Sequence, residues 1–215
     1  MALLHISIHP VVQDKVTQLR DKTISTNRFW RLLEEITQFL AYEALADLET
    51  EFAEVETPLA KAQGRRLSEK IGLFPILRAG LGMVNPFRSM MPTARVWHIG
   101  MYRNEQTREP VWYYNKVPPQ PKSDVCYVLD PMLATGGTAC AAVDFLTKWG
   151  ARRISYVGII AAPEGVKALS SAFPDVPIHI GALDDHLNDA AYIVPGLGDA
   201  GDRMFGTCVE EPAEN

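Results

Sequence analysis

Residues 125–138, VCYVLDPMLATGGT, combine the signals of a buried strand, a glycine loop and the start of a helix. The first five residues form a short apolar run, which is typical of a strand that is covered on both faces. After the loop, small and apolar residues recur as far as Trp149, and Gly150 then provides a helix stop. The stretch therefore predicts a strand, a tight loop and a helix in succession.

The same alternation continues towards the C-terminus. The strand-like run ISYVGII (154–160) precedes a helix that begins near Pro163, and VPIHIGAL (176–183) predicts another strand. Strands that alternate with helices over short loops form parallel sheets whose faces are both covered. The pattern predicts an α/β fold, with a mostly parallel sheet and flanking helices.

The N-terminal part predicts a helical segment and a hairpin beside this sheet. Hydroxyl and amide residues at 23–27 can cap an amphipathic helix of about five turns. A strand-like run follows at 71–77. Aromatic and branched residues at 95–102 and 111–117 predict the two arms of a projecting β-hairpin. The alternative, that the two runs are ordinary strands of the sheet, remains open. No internal repeat or long linker interrupts residues 1–215, so we expect a single domain.

The composition excludes several classes of protein. The 215 residues include 21 Lys plus Arg and 26 Asp plus Glu, a net charge of −5, which gives no basic field for nucleic acid. Cys126, Cys140 and Cys208 are odd in number and lack C-x-x-C spacing, which argues against a disulfide framework or a zinc site. No window approaches the roughly 20 apolar residues of a spanning helix. We expect a cytoplasmic protein with neither nucleic-acid nor membrane partners.

Asp130 and the glycine loop after it have the chemistry of a sugar-phosphate site. Ligands of open parallel sheets bind beyond the carboxyl ends of the strands, where Asp130 is expected. The backbone N–H groups of residues 134–138 begin a helix and favour an anion, and Gly136 and Gly137 let the main chain approach it. No lysine follows the glycines, so this is not a nucleoside-triphosphate loop. Asp130 would repel phosphate but can accept hydrogen bonds from neighbouring hydroxyls, which indicates a sugar phosphate.

The complete run resembles the loop that binds 5-phosphoribosyl-1-pyrophosphate (PRPP) in phosphoribosyltransferases, and DPMLATGG resembles its form in the uracil phosphoribosyltransferases. A single acid at Leu129-Asp130, rather than two adjacent acids, is a feature of the uracil enzymes. FPILRAGLGM (74–83) is similar to the pyrophosphate loop of the family, and YIVPGLGDAGDRMFGT (192–207) to its uracil-binding segment. The stretches HPVVQDKVTQLRDK, LAYEALADL, VETPLA and GMYRNE extend the resemblance over essentially the whole chain.

This resemblance implies transfer of ribose 5-phosphate from PRPP to N1 of uracil, giving uridine monophosphate (UMP) and pyrophosphate. It implies that Arg78 and Arg103 bind the pyrophosphate and that Asp199 lies near PRPP. The implied cofactor, Mg²⁺, would be held through PRPP and water. The PRPP-binding positions implied within the loop are Asp130, Pro131, Met132, Leu133, Ala134, Thr135, Gly136, Gly137 and Thr138. The implied uracil-binding positions, used mainly through main-chain groups, are Ile193, Gly198, Asp199 and Ala200.

Residues that could suggest other chemistry are interpreted as structural. His98 and His179 lie within strand-like runs and are expected to be satisfied structural histidines. The stretch DDHLND (184–189) is expected to be a solvated loop with a helix cap rather than a metal cluster.

Two other functions remain open. A PRPP or nucleotide sensor that regulates RNA or transcription is disfavoured by the acidic balance and by the lack of a Lys/Arg-rich run. Transfer to a purine is disfavoured by the single-acid loop and the C-terminal segment. The resemblance also implies a homodimer or larger homo-oligomer, with the aromatic hairpin as a candidate arm. It leaves GTP as a possible effector, because only some members of the family respond to it.

Overall fold

A computed structural model describes residues 3–103 and 110–207 of the chain. The helices among them are α1 (Pro10–Arg20), α2 (Thr26–Ala44), α3 (Val84–Met90), α4 (Gly137–Trp149), α5 (Pro163–Ala172) and α6 (Ala200–Phe205). The strands are β1 (Leu4–Ile6), β2 (Thr50–Glu56), β3 (Lys61–Leu67), β4 (Ile71–Leu77), β5 (Arg95–Val96), β6 (Ile99–Arg103), β7 (Pro110–Asn115), β8 (Val125–Leu129), β9 (Met132–Leu133), β10 (Arg153–Ala161), β11 (Ile178–Leu183), β12 (His186–Leu187) and β13 (Ile193–Val194). A 3₁₀ helix (Ala79–Met83) connects β4 to α3.

The central sheet has the strand order β1-β11-β10-β8-β4-β6-β7. Its neighbouring strands are parallel from β1 to β6, and β7 is antiparallel at one edge. The short strands β5 and β9 pair with β4 and β10. The predicted α/β fold is therefore confirmed. Because β4, β8, β10 and β11 are parallel, their carboxyl ends meet at one edge of the sheet, where ligands of such folds bind.

Helices cover both faces of the sheet. Tyr127 and Leu129 of β8 face a buried cluster with apolar residues of α1, α2, α3 and α6, whereas Cys126 and Val128 face a second cluster with α4 and α5. Each large apolar side chain that is fully buried contributes roughly 1.5–3 kcal/mol. This two-sided burial explains why β8 is an unbroken apolar run rather than an alternating one.

The predicted helices begin and end close to where the sequence signals place them. In α2, the hydroxyl of Ser25 accepts a hydrogen bond from the N–H of Arg28 and caps the helix. In α4, Gly150 ends the helix in the left-handed conformation, with φ of 91°. In α5, Pro163 occupies the first turn, where its missing N–H costs no hydrogen bond.

The predicted hairpin is present, and its arms are also strands of the sheet, the alternative that the sequence left open. The two aromatic arms do pair antiparallel, as β6 and β7, but β6 also pairs with β4, so the hairpin extends the main sheet. Arg95 and Val96 form the separate strand β5.

A second hairpin, β2–β3, was not predicted from the acidic stretch that forms it. Phe52 is 78% exposed, and no residue of either strand is buried, so the hairpin lacks the buried face of a half-buried strand.

The N-terminal strand β1 and the helix α1 were also not predicted. β1 is only three residues long and pairs with β11 at the sheet edge. α1 begins after His9, whose Nδ1 accepts a hydrogen bond from the N–H of Val11. Histidine is not among the residues that usually signal a helix cap, so the local sequence signal of this start is Pro10 in the first turn.

Two expectations from composition concern the cysteines and the membrane. Cys126 is buried and Cys140 is half-buried, and both are free thiols; Cys208 lies outside the described residues. Within the part of the chain that the structure describes, no helix combines the length and the apolar character needed to cross a bilayer.

Candidate active site

The glycine loop lies where the sequence predicted it, between β8 and α4. Gly136 has φ of 81° and stands at the N-terminal end of α4. The first helical N–H that bonds within the helix is that of Cys140, to the carbonyl of Gly136, so the preceding N–H groups of residues 137–139 point outwards. No side chain of the described residues caps this end. The loop thus offers backbone donors and a helix N-terminus to an anion.

The start of α5 holds this loop in place. A Cβ atom on Gly165 would lie 2.4 Å from the carbonyl oxygen of Ala134 and 2.6 Å from that of Leu133. A Cβ atom on Gly136 would lie 3.0 Å from the carbonyl oxygen of Gly165. Both positions therefore require glycine, and the close contact between loop and helix leaves the loop little freedom to move.

Asp130 stands at the carboxyl end of β8 in an unusual electrostatic environment. Burial raises the pKa of Asp130 to about 7; a hydrogen bond from the N–H of Met132 opposes the rise, and the carboxylate of Asp199 adds to it. The hydroxyl of Tyr156 donates a hydrogen bond of 2.9 Å to the backbone carbonyl of Asp130. A carboxylate in this position gains from any ligand hydroxyls that donate to it.

The second predicted loop, after β4, packs directly against the first. A Cβ atom on Gly80 would lie 2.3 Å from the carbonyl oxygen of Leu129, the residue before Asp130. Arg78 precedes this contact, at the end of β4. Its guanidinium donates to Asp202 Oδ1 (2.8 Å) and to Thr207 Oγ1 (3.2 Å), and the hydrogen bond to Asp202 raises the pKa of Arg78.

The C-terminal segment completes the site. Asp199 is the N-cap of α6 and accepts a hydrogen bond of 2.8 Å from the N–H of Asp202. A Cβ atom on Gly201 would lie 3.2 Å from Asp199 Oδ1 and 3.3 Å from Arg78 Nη2. Asp199 and Arg78 are thus neighbours across this glycine, and the Asp199 carboxylate also influences Asp130. The structure therefore brings together the predicted residues of three segments that are far apart in sequence.

The remaining predicted positions lie as follows. Ile193 is buried in β13, Gly198 has φ of 78°, and the side chain of Ala200 is fully buried in the core. Buried side chains at positions 193 and 200 leave the backbone as the part available to a ligand. Arg103 is the last residue of β6, and its side chain lies outside the part of the chain that the structure describes.

The prediction of a solvated loop with a helix cap at DDHLND (184–189) is wrong in two respects: the first residue is buried, and the stretch contains the strand β12 and, among the described residues, is not followed by a helix before α6. Asp184 is buried, and its carboxylate accepts hydrogen bonds from the guanidinium of Arg20 and from the N–H of Gly196. Arg20 is 164 positions away in the chain, so no local sequence pattern indicates that the two residues pair. Arg20 also donates to the carbonyl of Gly196, and Arg203 to that of Leu197. These residues, which the sequence did not single out, support the C-terminal segment.

The two histidines have different surroundings from those expected. His98 lies in the short link between β5 and β6 rather than within a strand. His179 does lie in β11 and stacks on His5 with ring centroids 4.6 Å apart, but its Nδ1 is buried without a hydrogen-bond partner among the described residues. Burial, followed by the charge of His5, lowers the pKa of His179 to about 4. Its neutral ring is a structural element.

Substitution of Gly80 by alanine tests the contact between the two loops. The new methyl group cannot coexist with the Leu129 carbonyl at 2.3 Å, so the backbone must shift. We expect a loss of roughly 1–3 kcal/mol in the free energy of unfolding, as for other overpacked sites, together with weaker PRPP binding. Urea unfolding and PRPP titration measure the two effects. Gly64→Ala is the control, because its Cβ would have 3.9 Å of room; an equal response in both variants would contradict the prediction.

Comparison with known proteins identifies the family. The family model described as Uracil phosphoribosyltransferase matches residues 6–207. A uracil phosphoribosyltransferase from Roseiflexus castenholzii is 58% identical over 207 residues, which are 96% of this chain and 100% of that protein.

Solved structures agree in fold. The AQ2163 protein from Aquifex aeolicus is 38% identical with a TM-score of 0.91, over 96% of this chain and 99% of that one. A hypoxanthine-guanine phosphoribosyltransferase from Bacillus anthracis is 14% identical with a TM-score of 0.50, over 78% of this chain and 83% of that one, and shares the fold alone. Because the family model spans both loops, the C-terminal segment and nearly the whole sheet, the chain belongs to the uracil phosphoribosyltransferase family.

Proposed function

We propose that the protein transfers ribose 5-phosphate from PRPP to N1 of uracil, giving UMP and pyrophosphate in pyrimidine salvage. The observation that carries this proposal is the meeting of three segments at one edge of the sheet. Gly80 packs on the residue before Asp130, and Gly201 packs on both Arg78 and Asp199. A phosphate loop, a cationic loop and a glycine-rich segment thus lie side by side, as a reaction between a charged sugar and a flat base requires.

The loop from Asp130 to Thr138 would bind the ribose 5-phosphate portion. Outward N–H groups at the start of α4, with the hydroxyls of Thr135 and Thr138, supply donors for the phosphate. Asp130, at the end of β8, would accept hydrogen bonds from the ribose hydroxyls. These donations stabilise its charged form and would lower the pKa of about 7 that burial produces.

Arg78 and Arg103 would bind the pyrophosphate, near Asp199. No group of three or more His, Cys, Asp or Glu residues within 3–103 and 110–207 is arranged to hold a metal. The carboxylate of Asp199 is a hard oxygen ligand, which fits Mg²⁺ that is bound mainly through substrate phosphates and water. When bound, Mg²⁺ would neutralise charge on the pyrophosphate. Arg78 would add a fixed positive charge, and Asp199 a carboxylate beside it.

The base would be recognised by main-chain groups of Ile193, Gly198, Asp199 and Ala200. Uracil presents one donor between two carbonyls, and cytosine does not. A wrong edge leaves buried polar groups unpaired, at about 1–3 kcal/mol each. The buried side chains of Ile193 and Ala200 anchor the backbone that would make these contacts.

The reaction forms a bond between C1′ of the ribose and N1 of uracil while the bond from C1′ to the pyrophosphate oxygen breaks, and the N1 proton is lost. Negative charge grows on the leaving group and positive charge on the sugar ring. Electrostatic stabilisation by fixed charges is sufficient for such a step, and no nucleophilic side chain is required. Cys126 and the neutral His179 therefore have no part in it.

The decisive experiment is the formation of UMP from labelled uracil, PRPP and Mg²⁺, with cytosine and hypoxanthine assayed in parallel. Product from uracil alone supports both the reaction and the recognition of the base edge. PRPP binding without product from any base would favour a sensor, and RNA affinity that falls steeply with salt would then support that function.

Replacing Asp199 with asparagine is expected to lower turnover about ten-fold while leaving the fold intact. Asparagine caps helices as well as aspartate does, so the hydrogen bond to the N–H of Asp202 persists and α6 is retained. Only the charge beside PRPP is lost. Turnover at saturating substrates and the thermal midpoint measure the two effects, with Asp14→Asn at an exposed position of α1 as the control. Unchanged turnover would remove Asp199 from the site.

We also propose a homodimer or larger homo-oligomer in a reducing cytoplasm. The exposed side chains of Phe52, Leu59 and Trp112 on the two hairpins favour association, and the free thiols of Cys126 and Cys140 fit a reducing compartment. Sedimentation velocity measures the assembly, and a monomer at micromolar concentration would contradict it.

GTP is a candidate effector of the enzyme. Turnover measured with and without GTP tests whether GTP activates it.

A further inference from the structure

A buried ion pair lies directly behind the turn that precedes Gly198. Asp184 follows β11, and its side chain is only 2% exposed. Both of its oxygens accept hydrogen bonds from the guanidinium of Arg20, which lies at the end of α1; the bond from Nη1 to Oδ2 is 2.8 Å long. A buried carboxylate is tolerated when it is paired in this way, and the two-pronged geometry fixes both side chains.

The pair holds both backbone groups of Gly196. The N–H of Gly196 donates to Asp184 Oδ2 at 2.9 Å, and Arg20 Nη1 donates to the carbonyl of Gly196 at 2.8 Å. Gly196 has φ of 63°, and a Cβ atom there would lie 2.0 Å from the carbonyl oxygen of Ile193. The hydrogen bonds from the ion pair and the close approach of Gly196 to the Ile193 carbonyl together fix the orientation of the peptide groups on either side of Gly196.

We propose that Arg20 and Asp184 are positioning residues for the nucleobase, which fix the turn at Gly196 and thereby aim the main-chain groups of Ile193 and Gly198. This inference rests on the proposed function, because it takes the base to bind those groups. As positioning residues, Arg20 and Asp184 would act on the base through Gly196 rather than by contact. Their hydrogen bonds end on Gly196 and not on the phosphate loop, so their loss should weaken uracil binding much more than PRPP binding.

The surroundings of Arg20 allow a specific rescue experiment. Its side chain is 23% exposed and lines a solvent-open cavity of about 470 Å³, together with Lys22, Thr26 and residues 195–198. Removal of the Arg20 side chain would extend this cavity towards Asp184. Guanidinium ion from solution could then occupy the position of the lost group and restore its hydrogen bonds.

The test is steady-state kinetics of an Arg20→Ala variant. We expect the KM for uracil to rise about ten-fold or more, with kcat and the KM for PRPP within about two- to three-fold of the wild type. Millimolar guanidinium should lower the raised KM for uracil, and an equal concentration of sodium ion should not. Arg28→Ala is the matched control: Arg28 is exposed and bonds to Gln18, so its removal should change neither constant and show no rescue.

Arg20→Lys covers the case in which the alanine variant does not fold. Lysine keeps a charge for Asp184 but lacks the second prong that reaches the Gly196 carbonyl, so we expect a smaller rise in the same KM. An unchanged KM for uracil in a folded variant, or equal losses for uracil and PRPP, would overturn the positioning role. These results differ from failure of the proposed function, in which the wild-type enzyme itself forms no UMP; that result would overturn the positioning role as well.

Discussion

An Arg78→Ala variant is expected to lose about 10²- to 10³-fold in kcat/KM for PRPP, the cost of removing one preorganised group that stabilises developing charge. Arg78 stands at the end of β4 beside Asp199, where the departing pyrophosphate would need a positive charge. Its side chain is 52% exposed, so a substrate phosphate can reach it. The surface pair with Asp202 contributes at most about 1 kcal/mol to folding, which is too little to explain such a loss.

Kinetics with PRPP as the varied substrate, together with circular dichroism, separate the catalytic effect from the structural one. Arg78→Lys keeps the charge without the planar fork and should fall between the wild type and the alanine variant. Arg65→Ala is the control, because Arg65 lies on the exposed hairpin, where its guanidinium lies over the Phe52 ring and donates to Thr50 rather than to a residue of the candidate site. Wild-type kcat/KM in Arg78→Ala would exclude Arg78 from the pyrophosphate site.

The parts of the fold that could be predicted from the sequence are those with strong local signals. From β8 to β11 the sequence consists of apolar runs separated by short loops, and Gly150 and Pro163 mark two helix boundaries. The hairpin β2–β3 was not predicted, because its strands lack such local signals. Its strands bury little on either face and are held by backbone pairing and exposed contacts such as Lys61 with Glu54, which leave no hydrophobic period.

The residues of the candidate site also divide into those with a local sequence signal and those without one. Asp130, Arg78 and Asp199 each belong to a short motif with its own chemistry, so local sequence patterns are enough to single them out. Asp184 could not be found in this way, because its partner Arg20 comes from the first helix and the group that they hold, Gly196, carries no side chain. A carboxylate that pairs over such a distance looks, in the sequence, like any solvated acid.

Asp130→Asn is expected to reduce kcat/KM for PRPP and to stabilise the protein above neutral pH. Two hydrogen bonds from ribose hydroxyls to a carboxylate, at roughly 1.5–3 kcal/mol each, correspond to a loss of about 10²-fold or more in kcat/KM for PRPP when the charge is removed. The phosphate-binding end of α4 remains, so PRPP should still bind, although more weakly. UMP formation with PRPP as the varied substrate and PRPP titration measure these effects, and a wild-type kcat/KM for PRPP would contradict the assignment of Asp130 to the ribose.

The stability effect of the same variant depends on pH, with a definite sign. Burial raises the pKa of Asp130 from an ordinary value of 3.8 to about 7, so the folded state binds more protons than the unfolded state between these values. The free energy of unfolding of the wild type therefore falls as the pH rises from about 4 to about 7. Asparagine has no proton to lose, so the urea midpoint of Asp130→Asn should match the wild type at pH 4 and exceed it at pH 8. Asp144→Asn, which alters an exposed pair with Lys148, should show no such divergence. Equal midpoints of Asp130→Asn and wild type at both pH values would mean that Asp130 carries its charge at no cost to the folded state, and that ribose binding is not needed to relieve it.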